Sequence, residues 1–357
     1  MINRNIPISN AHIHAFWNMP LADREKLLKR LMDELQYDTV TILDIPYSTT
    51  KLTKCRDFTE NLATFYLKSK MPDRIYGFAG MTPSYLKENN TPEFFLKQLQ
   101  FYMAAGFDGL KMIEGRPLQR PVCGPFDDPK YQLVYEYAEA NQIPVVIHAN
   151  AQPLCWNPGG AFEKRGIPTD ITWMDYYNDV KSVMTKYPKL RMTIAHFNFS
   201  SQNPDQAVEL LESFENLYYD ICPNPFMYPD FVENEKFWRP FFEKYLDRLI
   251  FGTDAGSNTT DLDGTEALDL DHMVRGFLEE DEFFYSVGWP IPPMKIEDER
   301  ILRKIYKENM LNFYQQASPK PVVPSVMREE WEIIMDKYFT FLDLRDIANL
   351  KLIETVL

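Results

Sequence analysis

The sequence predicts an α/β fold, a (β/α)8 barrel of the TIM type. Three observations point there. Eight short apolar runs rich in β-branched and aromatic residues recur along the chain, and each is followed by a longer run with amphipathic spacing. This alternation persists through most of the 357 residues, as a parallel barrel requires. The rival, an open doubly wound sheet, lacks the G-x-G-x-x-G or Walker sequence that would support it.

The strand runs, in order, are Ala11–Ala15, Thr39–Pro46, Arg74–Met81, Gly109–Ile113, Pro144–Ala149, Leu190–His196, Leu217–Cys222 and Arg248–Asp254. Helical spacing, with apolar residues three and four apart, fills the gaps at Leu21–Gln36, Arg56–Lys70, Thr91–Ala105, Tyr131–Asn141, Tyr176–Tyr187, Asp205–Asn216 and Glu235–Tyr245. The third helix opens with Thr91-Pro92-Glu93, an N-cap followed by proline at the first helical position. A last amphipathic run, Glu297–Gln315, closes the ring.

Three segments exceed this pattern. Asn150–Asp170 follows strand five and Ala255–Lys295 follows strand eight. Both are too long for plain connections and lie on the face where barrels keep their chemistry, so both are expected to cover the mouth. The third is the tail. Residues 1–317 form the expected barrel, and 318–357, beyond the Pro-rich hinge PKPVVP, form a helical extension packing on the barrel or on a partner subunit of a homodimer.

Charge narrows the partners. Lys plus Arg is 38 and Asp plus Glu is 52, a net charge of −14. An acidic chain repels nucleic acid and anionic membranes and leaves a small molecule as the expected partner. With 45% hydrophobic and 25% charged residues the composition is globular. The N-terminal residues show no signal-peptide pattern, and no apolar run is long enough to span a bilayer. Cys55, Cys123, Cys155 and Cys222 form no C-x-x-C pair, so they read as free thiols of a cytoplasmic protein rather than a thiolate metal site.

Four of the five histidines fall within or at the ends of predicted strands: His12 and His14 on the first, His148 on the fifth, His196 on the sixth. On a strand, residues i and i+2 share a face about 6.5 Å apart, so His12 and His14 can converge on one ion at about 2.0–2.1 Å. His148 follows the apolar run VVI; taken alone it also fits a satisfied core histidine. Asp254 ends the strand LIFGTD, where a carboxylate costs several kcal/mol unless paired, and a cation is the simplest partner. Three imidazoles and a carboxylate suit Zn²⁺ first, with Mn²⁺ or Fe²⁺ as alternatives. His196 is expected beside the ion as an acid/base or polarising group. Lys111, inside the apolar GLKMI, is expected at the mouth. His272 sits in a helical pattern and is given no role.

At these residues the chain resembles the amidohydrolase superfamily, specifically the amidohydrolase-2 group of hydrolases and decarboxylases. The matching segments are NAHIH at 10–14, GFDGLKMIEG at 106–115, IPVVIHAN at 143–150, TIAHFN at 193–198, RLIFGTDA at 248–255 and IYKENMLNFY at 305–314. The resemblance implies a distorted barrel of the metallo-dependent hydrolase type with one divalent metal. By position, His12, His14, His148 and Asp254 match that family's ligands. His196 matches its strand-six histidine, and Lys111 a lysine common on strand four. Some relatives carbamylate a strand-four lysine between two metals; this group usually binds a single ion, so that feature is not carried over. Asn10 stands where many relatives have Asp, a change expected to alter hydrogen bonding behind the ligands.

The expected reaction is metal-assisted hydrolysis of a small carboxylated amide, lactone or related C–N or C–O bond. Asp254 would take a proton from water, and His196 would stabilise the oxyanion and protonate the leaving group. Lys111 and Arg116 would bind the substrate carboxylate, Arg116 through its planar fork; a solvated loop charge is the alternative for Arg116. Trp156 would form an apolar wall beside the Gly159-Gly160 hinge, or else pack on a neighbouring helix or second subunit. The same ligands equally serve a lyase, a non-oxidative decarboxylase or hydratase of an aromatic or dienoic acid. A barrel that merely binds a ligand is the remaining alternative.

Overall fold

Eight strands pair in parallel in sequence order: β1 (Ile8–Ile13), β2 (Tyr37–Leu43), β3 (Ile75–Gly80), β4 (Gly109–Met112), β5 (Val145–Ile147), β6 (Met192–Ile194), β7 (Leu217–Asp220) and β8 (Leu249–Ile250). The computed structural model describes residues 5–46, 59–83, 89–164, 166, 171–224, 226–257, 260–337 and 339–357. The bridge between Ile13 and Ala255 brings the last strand's continuation to the first. Backbone hydrogen bonds Ala11 N–H to Phe251 O, Thr253 N–H to His12 O and His14 N–H to Ala255 O add to it. The fold is therefore a (β/α)8 barrel. Each expected strand is present and ends before its apolar run does, because the run continues into mouth residues that leave the ladder; β1 and β2 begin earlier than expected, at Ile8 and Tyr37.

The barrel lumen is packed. Ala11, Leu43, Tyr76, Phe78, Val146 and Ile250 from the strands meet Met310, Phe313 and Tyr314 from the helix Asn309–Tyr314. The Tyr314 hydroxyl also pairs with Thr41 Oγ1 at 2.7 Å. The strands' carboxyl ends are left for chemistry.

The surrounding helices follow the apolar spacing. Leu21–Glu34 buries Leu27, Leu28, Leu31 and Met32. Pro92–Ala104 starts at Thr91, whose side chain accepts the Phe94 N–H; such a cap contributes about 0.5–2 kcal/mol. The helix expected from Arg56 is seen from Glu60 to Lys70; its first residues and Cys55 lie outside the described residues. So do parts of the segments after strands five and eight. The latter holds a helix, Thr265–Glu279, and a hairpin of β9 (Phe284–Ser286) and β10 (Trp289–Ile291).

The C-terminal residues run along the barrel wall. Lys320 N–H donates to Asp108 and Val323 N–H to Ala105 O, near the start of β4. The helices Pro324–Lys337 and Leu344–Glu354 follow. Asn349 then accepts the Leu21 N–H, and Arg345 donates to Asn18 O, beyond the carboxyl end of β1. The tail thus braces the connection that leaves the mouth.

Candidate functional site

The histidines of strands one, five and six meet at one end of the barrel. His12 and His14 have ring centroids 5.4 Å apart, His12 and His196 5.2 Å, and His148 and His196 4.8 Å. A register shift between Asn10 and Ile13 interrupts the β1–β2 ladder at the level of His12; such irregularities re-aim side chains near active sites. Close approach of β8 needs Gly252, since a Cβ there would lie 2.7 Å from the His12 Cβ.

The outer nitrogens of these rings are committed. His14 Nδ1 is 2.7 Å from Leu43 O. A carbonyl can only accept, so Nδ1 carries a proton and Nε2 is the nitrogen left to face Asp254. That Nε2 lies 3.0 Å from Asp254 Oδ1. His12 Nδ1 meets Asp220 Oδ2 at 2.8 Å, and its Nε2 is buried, without a hydrogen-bond partner among the described residues, 3.5 Å from the same Asp254 oxygen. His196 Nδ1 donates to Pro223 O at 3.2 Å. Lone pairs and a carboxylate oxygen facing one another repel unless a proton or a cation lies among them. A divalent cation therefore fits this donor set.

Electrostatics agree. Burial, with Lys111, holds His12 well below the usual imidazole range, although Asp254 opposes the shift. Enclosure, then the charges of His196 and Arg116, does the same to His148. Neutral imidazoles are the form that binds a metal. Burial acts to raise the Asp254 carboxyl, but the His14 hydrogen bond and the His196, His14 and His12 charges outweigh it and hold the group well below the carboxylate range.

Sequence reasoning missed Asp220. It ends β7, is buried, and braces two histidines: Oδ2 faces His12 Nδ1, and Oδ1 accepts the His196 N–H at 2.6 Å. Burial raises its carboxyl to about 6, against the charges of His196 and Lys111. The signal used for Asp254, a carboxylate closing an apolar strand, was present in LYYD as well. Asn10 joins the same support, accepting the His12 N–H at 3.1 Å and donating to Thr253 Oγ1 at 2.8 Å.

His196 begins a strained turn. His196, Phe197, Asn198 and Phe199 all have φ between 52° and 54°, a left-handed run costing roughly 1–2 kcal/mol per residue. Aromatic packing holds it: the Phe197 ring lies 4.6 Å from Tyr219, 5.0 Å from Phe231 and 5.4 Å from Trp238. Asp254 is left-handed too, at φ 57°. Strain of this kind collects at functional sites.

Lys111, on β4, is 1% exposed, and its Nζ has no hydrogen-bond partner among the described residues. Burial lowers its ammonium to about 8, against the attraction of Asp220 and Asp254. Arg116 donates from Nε to Gln119 in the turn after β4. Trp156 packs on Phe162 at 4.6 Å and Tyr176 at 5.3 Å, and no ring contact among the described residues joins it to the histidines. The rings beside the histidines are Trp17, 5.1 Å from His14, and Phe199, 5.4 Å from His196. His272 stacks on Phe284 at 4.5 Å.

The donor atoms of His12, His196, Cys222 and Asp254 all lie within 4.8 Å of one another. Among the described residues no helix is long and apolar enough to cross a membrane.

Residues 43–309 match the amidohydrolase family. No curated protein sequence matches the chain. Among solved structures, an uncharacterized TIM-barrel protein from Bordetella bronchiseptica is 13% identical, with a TM-score of 0.53 over 87% of this chain and 100% of that one. An amidohydrolase II is 14% identical, with a TM-score of 0.52 over 87% and 100%. A 5-carboxyvanillate decarboxylase from Novosphingobium aromaticivorans, complexed with manganese and a nitrobenzoic acid, is 12% identical, with a TM-score of 0.50 over 87% and 96%.

Proposed function

The chain belongs to the amidohydrolase family, and on that premise we propose that it is a metal-dependent hydrolase of a small carboxylated amide, lactone or related C–N or C–O bond. The observation that carries the metal requirement is the 3.0 Å approach of His14 Nε2 to Asp254 while His14 Nδ1 is held by Leu43 O. His12, His14, His148 and Asp254 would hold one divalent ion, Zn²⁺ or else Mn²⁺ or Fe²⁺. Such an ion supplies Lewis-acid polarisation of the scissile carbonyl and lowers the pKa of water toward about 7.

The protein's own groups do the rest. Asp254 accepts a proton from the attacking water as its oxygen adds to the carbonyl carbon. The proton moves on to the leaving nitrogen or oxygen as that bond breaks. His196, whose Nδ1 is held by Pro223 O, stabilises the developing oxyanion through its other ring nitrogen. Lys111 pairs with the substrate carboxylate, with Arg116 as a second cation. Trp17 and Phe199 wall the reacting end, and Trp156 acts through the segment it holds after His148.

A second reading, a decarboxylase or hydratase, draws on the same unpartnered Lys111 ammonium, since a lyase must also hold a carboxylate beside the ion. A panel of carboxylated amides, lactones and aromatic acids tests both. Chelator-sensitive release of amine or alcohol, restored by Zn²⁺ or Mn²⁺, supports the hydrolase. Metal-dependent carbon dioxide release, or water addition to a dienoic acid, replaces it with the lyase. Turnover unaffected by rigorous metal removal overturns both.

A further inference from the structure

We propose that Cys222 faces the same ion and lends it a thiolate sulfur, so that the site prefers a thiophilic divalent ion such as Zn²⁺ over Mn²⁺ or Mg²⁺. This rests on the metal reading above and adds a donor that neither the family match nor the H-x-H, His and Asp pattern assigns.

The placement is specific. Cys222 lies two residues beyond the end of β7 and is fully buried. Its backbone N–H is directed to Asp220 Oδ1 at 3.3 Å, the oxygen that also takes the His196 N–H. One carboxylate therefore sets the backbone of both residues. The sulfur lies within 4.8 Å of the donor atoms of His12, His196 and Asp254. Zn²⁺ bonds are about 2.0–2.1 Å to nitrogen and about 2.3 Å to sulfur, so modest side-chain adjustment brings the sulfur to the ion proposed on His12 and Asp254, with His196 beside it as the acid/base group.

A second observation, independent of the cysteine, points to a ligand at this spot. His12 is 1% exposed and its Nε2 has no hydrogen-bond partner, although it belongs to the same group of donors. A buried acceptor left bare costs about 1–3 kcal/mol, and an ion shared with the sulfur would satisfy it. A cysteine serving only to fill space would be expected among apolar side chains, whereas this one is grouped with two imidazoles and a carboxylate. As the sulfur–metal bond forms, the thiol proton leaves to solvent. Sulfur ligation shifts preference away from Mn²⁺ and Mg²⁺, which favour oxygen donors.

The test is cobalt reconstitution of the metal-free full-length protein. Bound Co²⁺ should give visible d–d bands and, in addition, a near-ultraviolet thiolate-to-cobalt charge-transfer band. That band should vanish in Cys222→Ser and persist when Cys55, Cys123 and Cys155 are changed to Ser together. Cys222→Ser should also narrow the Zn²⁺-over-Mn²⁺ preference by at least about tenfold. Visible bands without the charge-transfer band in the unmutated protein overturn the proposal while leaving the metal reading intact, and this outcome needs no variant to fold. Failure of the unmutated protein to bind cobalt or zinc overturns the metal reading itself.

Discussion

His14 Nε2 and Asp254 Oδ1 stand 3.0 Å apart, while His14 Nδ1 donates to Leu43 O. Either a proton on Nε2 or a cation between the two groups satisfies this contact, and the second is the one proposed. Protein purified without chelator should accordingly contain about one equivalent of Zn, Mn or Fe. His14→Ala and Asp254→Ala should each hold less than about a tenth of that. Two tightly bound ions per chain would rule out the mononuclear centre and promote Lys111 or His196 to ligand.

Asp220 orients His12 without being proposed as a ligand. Asp220→Asn keeps the shape but replaces one oxygen by a donor, which cannot face both His12 Nδ1–H and the His196 N–H as the carboxylate does. Metal affinity measured by chelator competition should fall about 10–100-fold. Unchanged affinity would mean that Asp220 supports only the fold.

That residue also marks where the sequence stopped being legible. All eight strands could be read, because parallel barrel strands are buried on both faces and appear as unbroken apolar runs. The helices showed through their stripe of buried residues. The hairpin of β9 and β10 did not, because Glu282–Pro293 carries prolines and too short a run for alternation to register. In the site, strand-end histidines stood out because imidazole is rare in apolar runs. Asp220 and Cys222 did not: one carboxylate after a strand resembles a loop acid, and an unpaired cysteine resembles packing, until closure of the barrel places both beside His12.

His196→Ala should lose most turnover while keeping its metal. The imidazole sits 5.2 Å from His12 and 4.8 Å from His148, centroid to centroid, on a backbone that Asp220 and the Phe197 cluster hold in place without the ring. Metal content and kcat, measured on the same preparation, decide the matter. A metal-free variant would make His196 a ligand rather than an acid/base group.

In the substrate-binding role proposed for it, Lys111 would exchange stability for binding. A buried ammonium without a partner is costly, and burial lowers it to about 8 from a usual value near 10.5. Between those values the unfolded chain binds more protons than the folded one, so stability rises with pH across that window. Below about 8 the penalty is fully present. Lys111→Met should therefore raise stability at pH 7 by on the order of 1–3 kcal/mol. It should lower kcat/KM for carboxylated substrates by about 10–100-fold, the worth of one charge-assisted hydrogen bond. For the unmutated enzyme, KM for such substrates should rise as pH passes 8. Equal kcat/KM in Lys111→Met would remove Lys111 from substrate binding.

Glu330 makes the docking of the C-terminal helices sensitive to pH. It lies on the helix Pro324–Lys337; one carboxyl oxygen accepts from the Tyr102 hydroxyl at 2.9 Å and the other is buried without a hydrogen-bond partner. Burial raises this carboxyl to about 8, whereas an unfolded chain would release its proton near pH ~4.3. Between those values the folded state binds the extra proton, so stability falls as pH rises from about 4.3 to about 8, and the contribution is lost above that. Glu330→Gln cannot ionise and keeps an acceptor for Tyr102. Its melting temperature should match that of the unmutated protein near pH 5 and exceed it at pH 8.5, by an amount corresponding to on the order of 1–3 kcal/mol. A difference that is the same at both pH values would show that Glu330 does not carry its proton in the folded protein, and that the helix is held by its apolar contacts alone.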